Sequence, residues 1–335
     1  MQTPDDKIPL EWVRSLRKAE LHLHLLGAIR PHTAFDLARK YRVDFPVKQI
    51  EDWKPFFASG NLADFVESFI RLFELARERE DFDRVAREVF EDLAADGVYY
   101  AEPRVTVTSH LARGVDREEM IGGLTDAADY AQRELGLAIG WIIDFPRILG
   151  PKVADRALAE AISGREWGVV GFDVAGYEST TGKDLHFEGL FHNARESGLG
   201  ITVHAGEIGP AENVRYAVEK LKADRIGHGI RSIDDPSLVR ILVEKKTPLE
   251  VCPTSNLCLK GIDKLENHPL EELRRAGVPI TLNTDDPSLF GVSLSEEIQK
   301  VALAFRWSRE TVLDTIENAW RRRFRTELPI PVGHR

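Results

Sequence analysis

The chain has 335 residues, 43% hydrophobic and 30% charged, which is enough apolar side chain to bury a sizeable core and excludes a disordered chain. Its 45 basic and 55 acidic residues leave a net charge of −10, a sign that repels phosphate backbones and anionic lipid, so neither nucleic acid nor a membrane surface is an expected partner. The best apolar stretch, Leu135 to Ile143, is closed off by Glu134 and Asp144, short of the roughly 18 residues a membrane helix needs. The first residues carry Asp5, Asp6, Glu11 and Glu20 without an apolar signal core, so a cytoplasmic protein is expected. Cys252 and Cys258 are too few for a disulfide framework and lack C-x2-C spacing, so any metal must rely on histidine and carboxylate.

Short β-branched segments alternate with longer amphipathic ones, the pattern of a parallel sheet built from βα units. In chain order the strands are expected at Ala19 to His24, Val98 to Pro103, Leu137 to Ile143, Val169 to Val174, Ile201 to His204, Arg225 to Gly227, Pro248 to Val251 and Pro279 to Asn283. Helices are expected at Asp155 to Ser163, Phe187 to Ser197, Glu212 to Lys222, Pro236 to Lys245, Pro269 to Ala276, Leu294 to Phe305 and Arg309 to Arg323. Eight strands with intervening helices predict an α/β fold, a (β/α)8 TIM barrel, and the absence of a Gly/Ser linker or repeat predicts one elaborated domain over 1–335. The first connection, Gly27 to Gly97, is the longest and carries Leu62, Phe65, Val66, Phe69 and Phe73 at helical spacing. Any one of these residues reads as ordinary core packing, but the segment as a whole reads as a helical lid.

In the first strand His22 and His24 stand two apart and must face the same way. One H-x-H is weak evidence for a metal. Three further strand ends add to it: His204-Ala205-Gly206-Glu207, Gly227-His228-Gly229 and Asn283-Thr284-Asp285-Asp286. Ionisable groups therefore gather at the C-terminal ends of four strands, the catalytic face of such a barrel. His22, His24, His204 and Asp285 form a nitrogen and oxygen shell suited to one Zn²⁺ per chain, and Gly171 to Glu178 offers no lysine to bridge a second metal. Zinc lowers the pKa of a bound water toward about 7, so no activated serine or cysteine is needed. Glu207 is placed as a proton shuttle and His228, between two glycines, as a base or electrostatic stabiliser. Asp286 directly follows Asp285, so an extended chain would turn it away from the metal, though the strand end and Pro287 can redirect it.

These motifs, ELHLHLLGAIRP at 20 to 31, VGFDVAGYE at 170 to 178, VHAGE at 203 to 207, RIGHGIR at 225 to 231, LEVCPTSN at 249 to 256 and LNTDDP at 282 to 287, resemble the adenosine deaminases of the amidohydrolase superfamily. The resemblance runs in family order from about residue 10 to 325. It implies zinc on His22, His24, His204 and Asp285, Glu207 as proton donor to purine N1, and His228 as the group that orients and deprotonates the attacking water. It further implies backbone contact from Gly176 to N3, a hydrogen bond from Asp286 to N7, and an apolar flap of Leu62, Phe65 and Phe69 over the purine. The reaction implied is hydrolytic loss of ammonia from C6 of a small purine nucleoside, with no organic cofactor.

One position departs from the pattern. Two residues after His24, where adenosine-specific members usually place an acid that accepts from the ribose 5′-hydroxyl, this chain has Leu26. Burying that hydroxyl without a partner costs roughly 1–3 kcal/mol, so a substrate with an apolar or extended 5′ group, such as 6-aminodeoxyfutalosine or methylthioadenosine, stands beside adenosine itself. A deaminase of free adenine and a non-catalytic, nucleoside-binding metal barrel are the alternatives; retention of both Glu207 and His228 speaks against the second.

Overall fold

The computed structural model describes residues 8–58, 60–178 and 186–327. Eight parallel strands follow one another around a barrel: β1 (Lys18–His24), β2 (Val98–Val105), β3 (Trp141–Pro146), β4 (Val169–Ala175), β5 (Gly200–Ala205), β6 (Arg225–His228), β7 (Leu249–Val251) and β8 (Ile280–Leu282). The expected third strand, Leu137 to Ile143, is divided. A two-residue piece, Ala138–Ile139, pairs with β2, and β3 proper begins after Gly140 and runs on to Pro146. A Cβ at Gly140 would lie 2.8 Å from both the Tyr100 hydroxyl and a Val170 methyl, so only glycine allows the chain through. The expected helices are present with ends shifted by up to four residues, as in Pro151–Ser163, Ala211–Glu219 and Arg309–Arg322.

Closure of the barrel sets up the site. Beyond β8 the chain bonds back to β1 through Asp285, whose amide donates to the His22 carbonyl at 2.9 Å and whose carbonyl accepts from the His24 amide at 2.8 Å. Two metal-type residues from one end of the sequence are thereby stitched to a third from the other.

Along β1, Leu21 and Leu23 join the hydrophobic core, while Lys18, Glu20 and His22 are equally buried on the other face of the strand. The barrel interior is therefore not the usual stack of Val, Ile and Leu but a ladder of paired charges. Arg104 on β2 donates at 2.7 Å to both Asp173 on β4 and Glu250 on β7, and at 2.9 Å to the Leu21 carbonyl, all fully buried. One layer below, Arg225 bridges Glu250 and Glu102, with its guanidinium 3.7 Å from the Phe324 ring. Phe324 closes the barrel floor, and Cβ atoms at Gly171 and Gly200 would collide with it. Buried charges survive only when paired. Arg104→Met, which leaves Asp173 unpaired by any other arginine, is expected to lower stability by about 3–5 kcal/mol. A urea denaturation midpoint unchanged from wild type at equal slope would refute this.

The long first connection holds the helix Pro31–Lys40, the short helix Leu62–Phe69 with its 3-10 continuation Ile70–Glu74, and the returning helix Arg79–Ala95. Asn61 starts the second of these, its side-chain oxygen accepting from the amides of Ala63 at 2.9 Å and Asp64 at 3.1 Å.

Candidate active site

His22, His204 and His24 each have a carboxylate at their back. His22 Nδ1 donates to Glu250 at 2.8 Å, which leaves Nε2 as a bare lone pair. That Nε2 is buried without a hydrogen bond, yet lies 3.2 Å from Asp285 Oδ1, another acceptor. His204 Nδ1 is 2.9 Å from Asp173, and its Nε2 faces His24 Nε2 at 3.3 Å. His24 in turn has Asp144 at 3.5 Å on Nδ1 and Asp285 at 3.4 Å on Nε2. Lone pairs and a carboxylate converging on one point attract a cation; without one they repel. The donor set, neutral imidazole plus carboxylate oriented by buried acids, fits Zn²⁺ by its chemistry.

Asp285 has φ of +64° and His228 +61°, left-handed values that cost a non-glycine residue about 1–3 kcal/mol. The bend at Asp285 explains a departure from the strand geometry expected for the next residue. Asp286 does not turn away but shares the cavity with Asp285, because the chain has already left the extended conformation. It lies against Gly27, where a Cβ would sit 1.7 Å from Asp286 Oδ1, so no other residue fits at 27. Ser255 holds Asp285 from behind, donating to Oδ2 at 2.7 Å.

His228, His22, His204 and Asp285 offer ligand atoms that all lie within 4.8 Å of one another. This tight set includes His228 and leaves out His24, although His24 touches two of its members. His228 Nε2 is 3.9 Å from Asp285 and 3.9 Å from Glu207, and its Nδ1 is 3.4 Å from Asn256, which is bonded in turn to His268 at 3.1 Å. Burial holds His228 below the ordinary imidazole range. Glu207 is fully enclosed; burial first, and then the charges of Asp285 and Glu178, push its carboxyl up to about 8. Asp286 is raised well above the carboxylate range by burial and by the Asp285 charge. Burial and the Asp285 charge thus favour the protonated forms of Glu207 and Asp286, while the surrounding imidazoles hold Asp285 well below the carboxylate range. Glu178 shapes the Glu207 loop, accepting from the amides of Gly206 at 2.7 Å and Gly209 at 2.6 Å.

Above this floor opens a cavity of about 360 Å³. His24, His204, Glu207, His228, Asp285 and Asp286 line its base, Gly176 one side, and Leu62, Phe65 and Phe69 its cover. Phe69 stands edge-on to His24 with ring centroids 6.1 Å apart, and Phe65 packs on Phe290 at 5.2 Å. Leu26 is placed elsewhere. It is buried in a 3-10 turn and lines a small adjoining cavity that shares His24, Phe69, Phe73 and Thr106 with the main one.

The adenosine deaminase family model matches residues 17–327, which contain every strand and every residue of this site. The chain belongs to the adenosine deaminase family. It is 37% identical over 311 residues to an adenine deaminase of Sphingopyxis alaskensis, covering 92% of this chain and 90% of the relative. It is 33% identical over 309 residues to an aminodeoxyfutalosine deaminase of Streptomyces coelicolor, covering 92% and 80%. Among solved structures, a zinc-bound amidohydrolase of Burkholderia ambifaria superposes with a TM-score of 0.86 at 27% identity, covering 97% of this chain and 89% of that one.

As a member of the adenosine deaminase family the protein is a hydrolytic deaminase on a (β/α)8 barrel. No helix among its described residues is long and apolar enough to cross a membrane. Several residues of this family member's site are given no role by the sequence. Asp144, Asp173 and Glu250 orient His24, His204 and His22 from strands far off in sequence, and Asn256 and His268 support His228. Asp173, Glu250 and Asn256 do lie inside the recognised motifs, and an acid in the middle of an otherwise apolar strand was the available signal. Asp144, at the close of an apolar run, read only as the end of that run.

Proposed function

We propose that the protein removes ammonia from C6 of an adenine nucleoside carrying a 5′ extension, using one zinc ion held by His22, His24, His204 and Asp285 within a single barrel domain. The observation that carries this reading is Glu207, a buried acid kept protonated 3.9 Å from His228 at the rim of a histidine and carboxylate cluster. The metal, when bound, supplies an acidified water as nucleophile.

The chain's own residues do the rest. Adenine presents acceptors at its ring nitrogens, and the floor presents donors to match. Glu207 gives its proton to N1, which draws electron density away from C6 and readies it for attack. Asp286, protonated and with Oδ1 buried without a partner, donates to N7. Gly176, at φ +87°, brings backbone rather than side chain to N3. His228, held neutral, accepts the proton of the attacking water, and Leu62, Phe65 and Phe69 exclude bulk solvent.

Cavity size supports a nucleoside over the base. Ten atoms of adenine occupy at most about 300 Å³ even at the ~30 Å³ of a liquid water molecule, and bonded ring atoms take less, so space remains beside the base. The 37% identity to an adenine deaminase favours the second reading, free adenine. Ammonia release from adenosine, methylthioadenosine, 6-aminodeoxyfutalosine and adenine decides between them. The expected order places a 5′-extended nucleoside at least about tenfold above adenine in kcat/KM, the effect of one well-made extra contact. Turnover of adenine alone overturns the nucleoside reading, and turnover of none overturns both.

A further inference from the structure

At its outer end the cavity changes character. Thr106, Ser109 and Arg113 line one wall at helical spacing, running from Thr106 just past β2 through the buried Ser109 to the exposed Arg113, along one face of the helix Val107–Leu111 and the turns that flank it. Ile70 of the flap and Ile148 and Leu149 beyond β3 also line it, and these large apolar side chains are 39%, 64% and 50% exposed, so they form its open rim. Among the described residues Arg113 is the one lysine or arginine lining the cavity. Its guanidinium lies over the Phe73 ring at 5.3 Å and donates to the Ser109 carbonyl at 2.9 Å. No carboxylate among the described residues stands within ion-pair distance of it, whereas Arg30, Arg79, Arg84, Arg117 and Arg215 each have one.

A guanidinium has five N–H groups, and one carbonyl and one ring face leave most of them unused. Stacking and the turn hold it in place, so little side-chain entropy remains to be lost on binding an anion. The opposite end of the cavity, where Glu207, His228, Asp285 and Asp286 face the base, offers no lysine or arginine among the described residues. With the base on the floor, an acidic arm on the substrate reaches toward the mouth, where Arg113 stands.

We propose that Arg113 is a specificity-determining residue that binds a carboxylate or phosphate carried on the 5′ side of the substrate, beside the hydroxyls of Ser109 and Thr106. This rests on the floor being an adenine site. The exposed Ile70, Ile148 and Leu149 suit an apolar spacer between ribose and anion, so the carboxylate on an apolar arm is the better fit of the two.

The test compares 5′-deoxy-5′-(3-carboxypropylthio)adenosine with its primary carboxamide, matched in shape and differing in charge, with adenosine 5′-monophosphate as the phosphate arm. Wild type is expected to favour the acid over the amide by about 10- to 100-fold in kcat/KM, the range of a charge-assisted hydrogen bond. Arg113→Met should erase that preference mainly through KM, and Arg113→Lys should keep part of it. A higher kcat/KM for the monophosphate than for the acid supports a phosphate-bearing substrate, and the reverse supports the carboxylate. Equal use of acid and amide by wild type, or equal losses on both in Arg113→Met, overturns the assignment. Calorimetric titration with the hypoxanthine forms of the same pair reads the charge preference without turnover. A protein that deaminates none of the compounds yet binds acid and amide differently thus condemns the adenine reading and not the arginine contact.

Discussion

Glu207→Gln is expected to lower kcat by about 10²- to 10⁴-fold while a hypoxanthine nucleoside still binds within a fewfold of wild type. The side chain keeps its size and a donor N–H, so the purine can still be held, but it has no proton to give. The carboxyl sits at about 8 because burial and the nearby charges of Asp285 and Glu178 disfavour its ionised form. The sign follows directly. Below that value the acid form is present and can donate; as pH rises through it the proton is lost and turnover declines. In Glu207→Gln this alkaline decline should vanish from whatever residual rate is left. Steady-state kinetics from pH 6 to 10 on wild type and variant checks both points, and a variant that retains kcat within threefold removes Glu207 from the chemistry.

Removal of the metal is the second large effect. His22 Nε2 and His24 Nε2 lie 3.2 and 3.4 Å from Asp285 Oδ1, and His24 Nε2 lies 3.3 Å from His204 Nε2, a crowding of ligand atoms that a bound cation would compensate. Chelation should abolish turnover and lower the melting temperature, and zinc should restore both; a ligand present at a thousand times its Kd stabilises by about 4.1 kcal/mol. His204→Ala should show the same two losses without chelator and no longer retain one zinc per chain by elemental analysis. Full turnover and an unchanged melting temperature in a chain shown to be metal-free would dismiss the assignment.

The strand order of the barrel was legible because each strand carries its own apolar pattern and the turns that end it. His22 and His24 were legible as a pair because alternation along a strand is a local property. Other features depend on a long-range constraint that a local rule does not contain. Alternation in an extended chain would turn Asp286 away, and the strand end before Pro287 leaves room to redirect it; with Asp285 at φ +64° where β8 closes onto β1, both acids line the cavity. Leu26 was expected at the substrate, since it stands two residues from His24, yet the strand ends at His24 and the following 3-10 turn carries it into a neighbouring space.

By itself the sequence determined the alternation of strands and helices, the residue types at four strand ends, and so the class of chemistry, because those are properties of short segments. Only the tertiary structure decided which acid stands behind which histidine, as with Glu250 and His22, 228 residues apart. It alone also raised the Glu207 carboxyl and placed Arg113 over the flap. The physical reason is that tautomers, proton affinities and unpaired charges depend on burial and on neighbours across the barrel, quantities that no window along the chain contains.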